Sequence, residues 1–119
     1  MKSIHLQPIF LGFLFTAISV SALGQSTHSS RPPAQAADTF NSYCAVCHGP
    51  DGTGSPTGKA LNAPNLRSAA VQKQSNAALV RFIREGKEQM PPFKGQLTDE
   101  QITKAAAYVH WLGRHKARQ

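Results

Sequence analysis

The sequence has only 119 residues, which is enough for one small domain and leaves little chain for a second. It is also poor in acidic side chains, with six Asp or Glu residues against thirteen Lys or Arg residues. The formal charge of +7 favours acidic partners, anionic membrane or nucleic acid, and charge alone does not choose among these. The sequence lacks the alternation of apolar and polar residues that is typical of strands.

The N-terminal apolar run is too short to span a bilayer. It extends over 12 residues, from Ile9 to Val20, whereas a spanning helix needs about 20. Lys2 precedes the run and small residues follow it, an arrangement typical of a secretory signal peptide. We therefore predict a signal peptide over residues 1–24, cleaved before Gln25 or alternatively after Ala22, and a periplasmic protein. No cysteine lies nearby to carry a lipid, so membrane contact is expected only through an uncleaved N-terminus.

The rest of the chain divides into three parts. Residues 25–35 are polar, rich in serine and interrupted by two prolines, which predicts a disordered lead-in. Residues 36–113 form the predicted folded domain, and residues 114–119 form a basic tail. A domain of about 80 residues has marginal stability from its core alone and usually needs a staple or a cofactor.

Three helices are predicted in the folded domain. Apolar residues recur at three- and four-residue spacing from Ala36 to Cys44, so the first helix ends at the following Gly49-Pro50. Residues 49–58 contain four glycines and two prolines, which exclude regular structure and indicate a loop that wraps around something.

The other two helices have recognisable ends. Ser75 or Asn76 can cap the second helix, which Gly86 stops. Thr98 and Gln101 have the spacing of a capping box, so the last helix begins there and runs to the end of the domain.

The two cysteines of the chain stand in Cys44-Ala-Val-Cys47-His48. A redox disulfide would be expected beside the strands of a βαβ pattern, which this sequence does not show. A structural zinc site needs four ligands, and three nearly adjacent side chains cannot all reach one ion well. Cys-x-x-Cys-His is instead typical of covalent haem attachment, in which two thiols add to the vinyl groups and the histidine binds the iron.

A sixth iron ligand can be sought in the same way. Met90 is the only methionine besides the initiator, and it lies in a loop that two following prolines stiffen. A methionine there is not at the helical spacing of a core residue, which favours a ligand role. His110 and His115 on the last helix remain as alternatives, although their polar surroundings favour exposure to solvent, and His28 in the lead-in is weaker still.

Several segments together resemble a single-haem class I cytochrome c of the small bacterial type. The resemblance covers about residues 36 to 113, and the segments occur in the order that the family shows. They are Phe40-x-x-x-Cys44-Ala-Val-Cys47-His48-Gly49, Ala63-Pro64-Asn65-Leu66, Met90-Pro91-Pro92-Phe93, and Leu97-Thr-Asp-Glu-Gln-Ile102 with Tyr108-Val109.

The resemblance implies an all-α fold in which three or more short helices surround one covalently bound haem c. The first and last helices would cross where Phe40 meets Tyr108. It also implies a set of site residues: thioether anchors at Cys44 and Cys47, the proximal and distal iron ligands at His48 and Met90, and the carbonyl of Pro64 as the hydrogen-bond acceptor for the His48 ring.

Function is expected to follow from this coordination. Iron held by both histidine and methionine has no open position, so we expect an electron carrier that shuttles single electrons between redox proteins, without catalytic residues and without a nucleic-acid partner. The alternative is a haem sensor or peroxidase-like protein in which Met90 dissociates, and a third reading is a disulfide oxidoreductase without haem. A monomer is expected. Docking of acidic redox proteins is expected on a basic set near the haem: Lys59, Arg84, Lys87 and Lys94.

Overall fold

The structure, a computed structural model, describes residues 31–115. The predicted signal peptide, residues 25–30 of the lead-in and residues 116–119 of the basic tail lie outside the described residues. Among residues 31–115 the fold is all-α, as predicted, with no strand longer than an isolated bridge. The described part of the chain contains six successive helices: α1 (Ala34–Tyr43), α2 (Ala45–His48), α3 (Pro56–Ala60), α4 (Ala69–Gln72), α5 (Asn76–Glu85) and α6 (Asp99–Arg114).

The first predicted helix is present as two successive pieces. Helix α1 begins at Ala34, two residues before the predicted domain boundary, directly after Pro33. Its backbone changes at Cys44, where φ is −110°, and the chain continues as the single turn of α2. Gly49 then ends α2 with φ of +73°, a conformation that favours glycine. The cysteines and His48 are therefore presented on a short, separately oriented turn.

The prediction that residues 49–58 lack regular structure was wrong at its C-terminal end, where α3 begins. Ser55 caps this helix by accepting a hydrogen bond from the Gly58 N–H at 3.0 Å. Pro56 occupies the first turn, where a missing N–H is tolerated and the fixed φ suits a helix. A cap and a proline at this position outweigh the low helix propensity of the segment.

Both later helices begin as predicted. The Ser75 side chain accepts from the Ala78 N–H at 3.1 Å, so Ser75 rather than Asn76 caps α5, and Gly86 ends it. Thr98 and Gln101 form the predicted capping box at α6, with reciprocal hydrogen bonds of 3.2 and 2.9 Å.

The core lies where α6 packs against α1 and α5. Phe40 of α1 and Tyr108 of α6 meet with ring centroids 5.1 Å apart, which confirms the expected crossing of the first and last helices. Phe40 and Ile102 are the largest side chains that are completely buried among the described residues. None of the helices between residues 31 and 115 has the length and apolarity to cross a membrane.

Candidate functional site

An apolar cleft of about 450 Å³ lies between α2 and the segment that follows α5. This volume falls in the range of small-molecule and cofactor sites. The predicted site residues all line it: Cys44, Cys47, His48, Pro64 and Met90. Much of the remaining wall is apolar and includes Phe40, Leu66, Leu79, Phe82, Ile83, Phe93, Ala105 and Val109. The structure thus brings together predicted site residues as far apart in sequence as Cys44 and Met90, which are separated by 46 positions.

The loop after His48 folds back onto the turn that carries the cysteines. The Gly54 N–H donates to the His48 carbonyl at 2.7 Å, and the Ser55 N–H donates to the Cys47 carbonyl at 2.9 Å. The Ser55 hydroxyl donates to the Val46 carbonyl at 2.6 Å. Three successive carbonyl groups at the end of α2, which lack partners within the helix, are satisfied in this way. This is what the glycine-rich loop wraps around.

Gly58 shows how closely this loop approaches the turn. A Cβ atom at Gly58 would overlap the carbonyl of Cys47, so no other residue fits without a backbone shift. Gly58 belongs to α3, which packs against α2, so this helix holds the loop against the cysteine turn. The geometry of the cysteines therefore depends on a residue eleven positions downstream of Cys47.

Both cysteines are free thiols in the structure. Burial, and to a lesser degree the neighbouring Cys47, raises the pKa of the Cys44 thiol to about 11. A reactive redox cysteine has a lowered pKa, so this environment does not favour a thiolate nucleophile at neutral pH. Within residues 31–115 no three His, Cys, Asp or Glu side chains converge in a way that could hold a metal ion on their own.

His48 is 7% exposed, and its Nδ1 atom makes no hydrogen bond of normal geometry with the described residues. Burial lowers the pKa of this imidazole, while the nearby backbone carbonyl of Pro64 acts in the opposite direction. Pro64 is thus close enough to interact with the ring without completing a well-formed hydrogen bond. A buried imidazole with one unsatisfied nitrogen beside a carbonyl is suited to act as a metal ligand, because the carbonyl can orient the ring by accepting a hydrogen bond from it.

Met90 lies on the opposite wall in a tight loop. The Lys87 N–H donates to the Met90 carbonyl at 3.1 Å, and the Met90 N–H donates to the Lys87 carbonyl at 2.9 Å. Gly86, with φ of +76°, begins this loop, and a Cβ atom there would lie 2.6 Å from the Met90 carbonyl oxygen. The half-buried Met90 side chain contacts the core, so the loop presents a thioether to the cleft.

The other candidate ligands do not line the cleft. His110 and His115 are half-buried elsewhere on or after α6, and His115 stacks on Trp111 with ring centroids 4.4 Å apart. Trp111 also stacks on Tyr108 and is absent from the cleft wall. His28 lies outside the described residues. Of Met90, His110 and His115, the structure therefore places only Met90 at the cleft wall.

The rim of the cleft contains residues that the sequence did not single out. The large hydrophobic side chains that are exposed in the described part of the chain are Tyr43, Val46 and Leu61, which are 42%, 66% and 42% exposed, and all three line the cleft. The sequence held a signal for one of these three residues, since Val46 stands between the two cysteines. Clustered exposed apolar side chains are typical of an interaction surface.

The predicted basic set is less concentrated than expected. Of its four members Lys87 lines the cleft, and it does so beside Glu88. Lys59 on α3 and Lys94 after Met90 are exposed but do not line the cleft. Arg84 instead forms an ion pair with Asp99 at 2.9 Å. The positive charge around the rim is therefore moderate.

These observations provide a test of whether the cleft suits a covalently held haem. Two free thiols, a buried imidazole with an unsatisfied Nδ1 and a thioether line one cavity with mostly apolar walls. Thiol, imidazole and thioether groups are the side chains that hold haem iron and its macrocycle in c-type proteins. The residues present fit the group.

Comparison with known proteins gives consistent results. Residues 31–109 match the family described as Cytochrome C oxidase, cbb3-type, subunit III. Cytochrome c6 of Thermostichus vulcanus is 33% identical over 81% of this chain and 79% of its own length. The cbb3-type cytochrome c oxidase subunit CcoP of Cereibacter sphaeroides is 37% identical over 72% of this chain, but this chain spans only 29% of that subunit. The solved structure of the KustC0563 c-type cytochrome superposes with a TM-score of 0.61 at 32% identity, covering 65% of this chain and 95% of that one.

Proposed function

The chain belongs to the small single-haem class I cytochromes c, and on that premise we propose that it is an exported electron carrier whose haem iron is bound by His48 and Met90. The observation that carries the proposal is the meeting of Cys44, Cys47, His48 and Met90 in one cleft. As a member of this family the protein carries one covalently bound haem c.

Each residue of the cleft has a defined task in this proposal. Cys44 and Cys47 would hold the haem through thioether bonds, and His48 and Met90 would bind its iron. When bound, the haem supplies an iron that changes between the ferric and ferrous states. A Met90 sulfur bound to the iron would favour the ferrous state and so raise the reduction potential, and with both His48 and Met90 bound the iron would have little affinity for oxygen or peroxide.

The apolar walls exclude water from the redox centre. Phe40, Ile83 and Phe93 are buried, and together with Leu66 and Leu79 they surround the cleft with side chains that cannot hydrogen-bond. A dry surrounding of low polarity penalises the extra charge of the oxidised iron and so also favours the reduced state. The proposal assigns no polar group a catalytic role.

The rim gives the proposed docking surface for redox proteins. Tyr43, Val46 and Leu61 provide apolar contact beside the cysteines, and Lys59 and Lys87 add positive charge. Redox encounters bury a relatively small area, so a patch of this size is sufficient for a transient contact of a monomer. An acidic partner would be guided by the two lysines, with modest salt dependence because Glu88 lies beside Lys87.

Replacing Met90 tests the proposal directly. The Met90→Ala holoprotein should lose the sulfur-to-iron charge-transfer band, have a lower reduction potential, and bind carbon monoxide in the ferrous state. The unaltered protein should not bind carbon monoxide at neutral pH; if it does so readily, the sensor or peroxidase-like alternative is favoured instead. Replacing His110 by Ala is the matched control and should leave the band unchanged. A band that persists in Met90→Ala would contradict the assignment of the distal ligand.

Attachment is tested separately. The Cys44→Ala, Cys47→Ala double variant should lose haem during denaturing electrophoresis, whereas the unaltered protein, expressed with a haem-ligation system in an oxidising compartment, should retain it. Haem that acidic organic solvent extracts from the unaltered protein would contradict attachment through these thiols.

A further inference from the structure

The segment that carries Pro64 has no helix or strand of its own. This segment, residues 63–67, is here called the Pro64 segment; it connects the turn after α3 to α4. The Ala63 N–H donates to the Gly58 carbonyl and the Leu66 N–H donates to the Gly52 carbonyl, both at 2.8 Å. These bonds attach the segment to the loop that wraps around the cysteine turn. These two bonds do not connect the Pro64 segment to the last helix.

Gln72 provides a tie to that helix. Its Nε2 atom donates to the Leu66 carbonyl at 2.7 Å and to the Val109 carbonyl of α6 at 3.0 Å. Both protons of the amide are thus used, one on the Pro64 segment and one on the last helix. The Gln72 side chain thus connects the Pro64 segment to α6, where its partner Val109 lies 37 residues after Gln72 in sequence.

The last helix has a residue that accommodates this tie. A Cβ atom at Gly113, one turn after Val109, would overlap the amide group of Gln72. Gly113 lies inside α6, where glycine lowers helix stability by about 1 kcal/mol relative to alanine. A glycine at this site is explained by the space that the Gln72 amide occupies against the helix.

Arg67 makes a second tie from the end of the same segment. Its Nη1 atom donates to the Asp51 carbonyl at 2.9 Å, and its Nη2 atom donates to the carbonyl of His115 just after α6. The guanidinium therefore connects the Pro64 segment to the loop after the cysteine turn and to the C-terminal end of α6. Gln72 and Arg67 hold the segment at adjacent residues, directly after Pro64 and Asn65.

We propose that Gln72, assisted by Arg67, is a positioning residue that fixes the Pro64 carbonyl and thereby sets the orientation of the His48 imidazole. This inference rests on the proposed function, in which His48 is an axial ligand. A side chain that only filled space at this site could be apolar, whereas two backbone acceptors in a half-buried position require a donor such as an amide. The rigidity of the Pro64 segment then becomes a property of the redox centre.

The test uses the ferric holoprotein and the variant Gln72→Met, which keeps the length of the side chain and removes its donors. The contact-shifted haem methyl resonances in the NMR spectrum report the orientation of the axial imidazole plane. In Gln72→Met their order or spread should change. Protection from hydrogen exchange of the Leu66 amide, which donates to the Gly52 carbonyl, should fall by about tenfold, because losing the bond from Gln72 to the Leu66 carbonyl makes local opening of the segment easier. Gln35→Met is the matched control, because Gln35 accepts a hydrogen bond from Lys104 outside the cleft, and its methyl pattern should equal that of the unaltered protein.

A lower melting temperature in Gln72→Met with an unchanged methyl pattern would overturn the inference, since the residue would then be purely structural. If Gln72→Met does not fold, Arg67→Lys is measured in the same way: an altered pattern supports the inference and an unchanged one overturns it. Failure of the proposed function is recognised independently. In that case the His48 ring protons of the unaltered protein would lack the large paramagnetic shifts of an iron ligand.

Discussion

The wall of the cleft that carries the cysteines and His48 is attached to the rest of the molecule differently from the wall that carries Met90. In the cysteine wall, residues 44–58, the carbonyls of Val46, Cys47 and His48 each accept a hydrogen bond from the loop that follows. In the methionine wall, residues 86–97, the backbone of Met90 bonds to Lys87 within its own turn, and Pro91 and Pro92 have no N–H to donate.

The methionine wall is anchored mainly beyond the ligand. The Phe93 and Lys94 N–H groups each donate to a carbonyl of α5 at 3.1 Å, and the Phe93 side chain is buried. Met90 can therefore move with its turn while Phe93 stays in place. Local openings of this kind need less free energy than global unfolding. The two proposed iron ligands therefore differ in how firmly the protein holds them. His48 is held in place by the loop that bonds to its turn, whereas Met90 can be displaced when its turn opens locally.

The largest expected effect comes from breaking the cysteine wall at Gly58. In Gly58→Ala the new Cβ must displace the Cys47 carbonyl, so we expect destabilisation of about 3 kcal/mol or more and less complete haem attachment. Guanidinium unfolding and haem-stained denaturing gels measure the two effects. Gly95→Ala is the control, because that glycine has φ of +86° but no atom within 4 Å of a new Cβ, and backbone strain alone should amount to about 1 kcal/mol. Equal losses in both variants would show that the close contact at Cys47 is unimportant.

Breaking the methionine wall at Gly86 should have a smaller and different effect. Gly86→Ala places a Cβ 2.6 Å from the Met90 carbonyl oxygen in a backbone conformation with φ of +76°, so we expect a loss of about 2 kcal/mol. Haem attachment should be normal, whereas the sulfur-to-iron charge-transfer band should weaken and carbon monoxide binding should increase. An intact band in a destabilised variant would indicate that the loop transmits no strain to Met90.

The serine caps sharpen the comparison further. Ser55 both caps α3 and donates to Val46, while Ser75 only caps α5, the helix that anchors the methionine wall. Ser55→Ala should lower the free energy of unfolding by about 2 kcal/mol and Ser75→Ala by about 1 kcal/mol. Thermal unfolding of both holoproteins measures the difference. A larger loss for Ser75→Ala would contradict the greater dependence of the cysteine wall on side-chain hydrogen bonds.

The smallest effect concerns Asp51 in the loop of the cysteine wall. Hydrogen bonds from the Thr53 N–H at 3.0 Å and the Thr53 hydroxyl at 2.8 Å lower the pKa of this carboxyl. A lowered pKa contributes stability above the ordinary Asp value, and this stability is lost as the pH falls through the pKa of the folded state. Because the carboxyl is largely solvated, we expect about half a kcal/mol or less. In Asp51→Asn, which keeps an acceptor oxygen, this part of the acid dependence of unfolding should vanish; an unchanged pH profile would argue against the contribution.

How much of this was predictable from the sequence depends on the distance over which each contact acts. The starts of α5 and α6 were predicted because Ser75, Thr98 and Gln101 act within one helical turn. The fold class and the meeting of Phe40 with Tyr108 followed from the resemblance, since crossing helices leave no local signal.

The parts that sequence reasoning missed involve distant partners. The proline and glycine of residues 56–58 concealed α3, which a serine cap stabilises. Nothing near Gln72 or Arg67 indicates that their side chains reach the end of α6, because their partners there lie 37 and 48 residues away. Of the exposed rim, only Val46 carried a signal, through its position between the two cysteines, since the exposure of Tyr43 and Leu61 depends on where other segments fold.

The difference between the walls is tested most directly by native-state hydrogen exchange of the ferric holoprotein, measured residue by residue. The Gly54 and Ser55 amides report the cysteine wall, and the Lys87 and Met90 amides report the methionine wall. We predict that the Lys87 and Met90 amides exchange through a local opening, at a free energy well below that of global unfolding, while Gly54 and Ser55 exchange only near the global value. Equal protection of the four amides, or weaker protection of Gly54 and Ser55, would contradict the claim that the protein holds His48 more firmly than Met90.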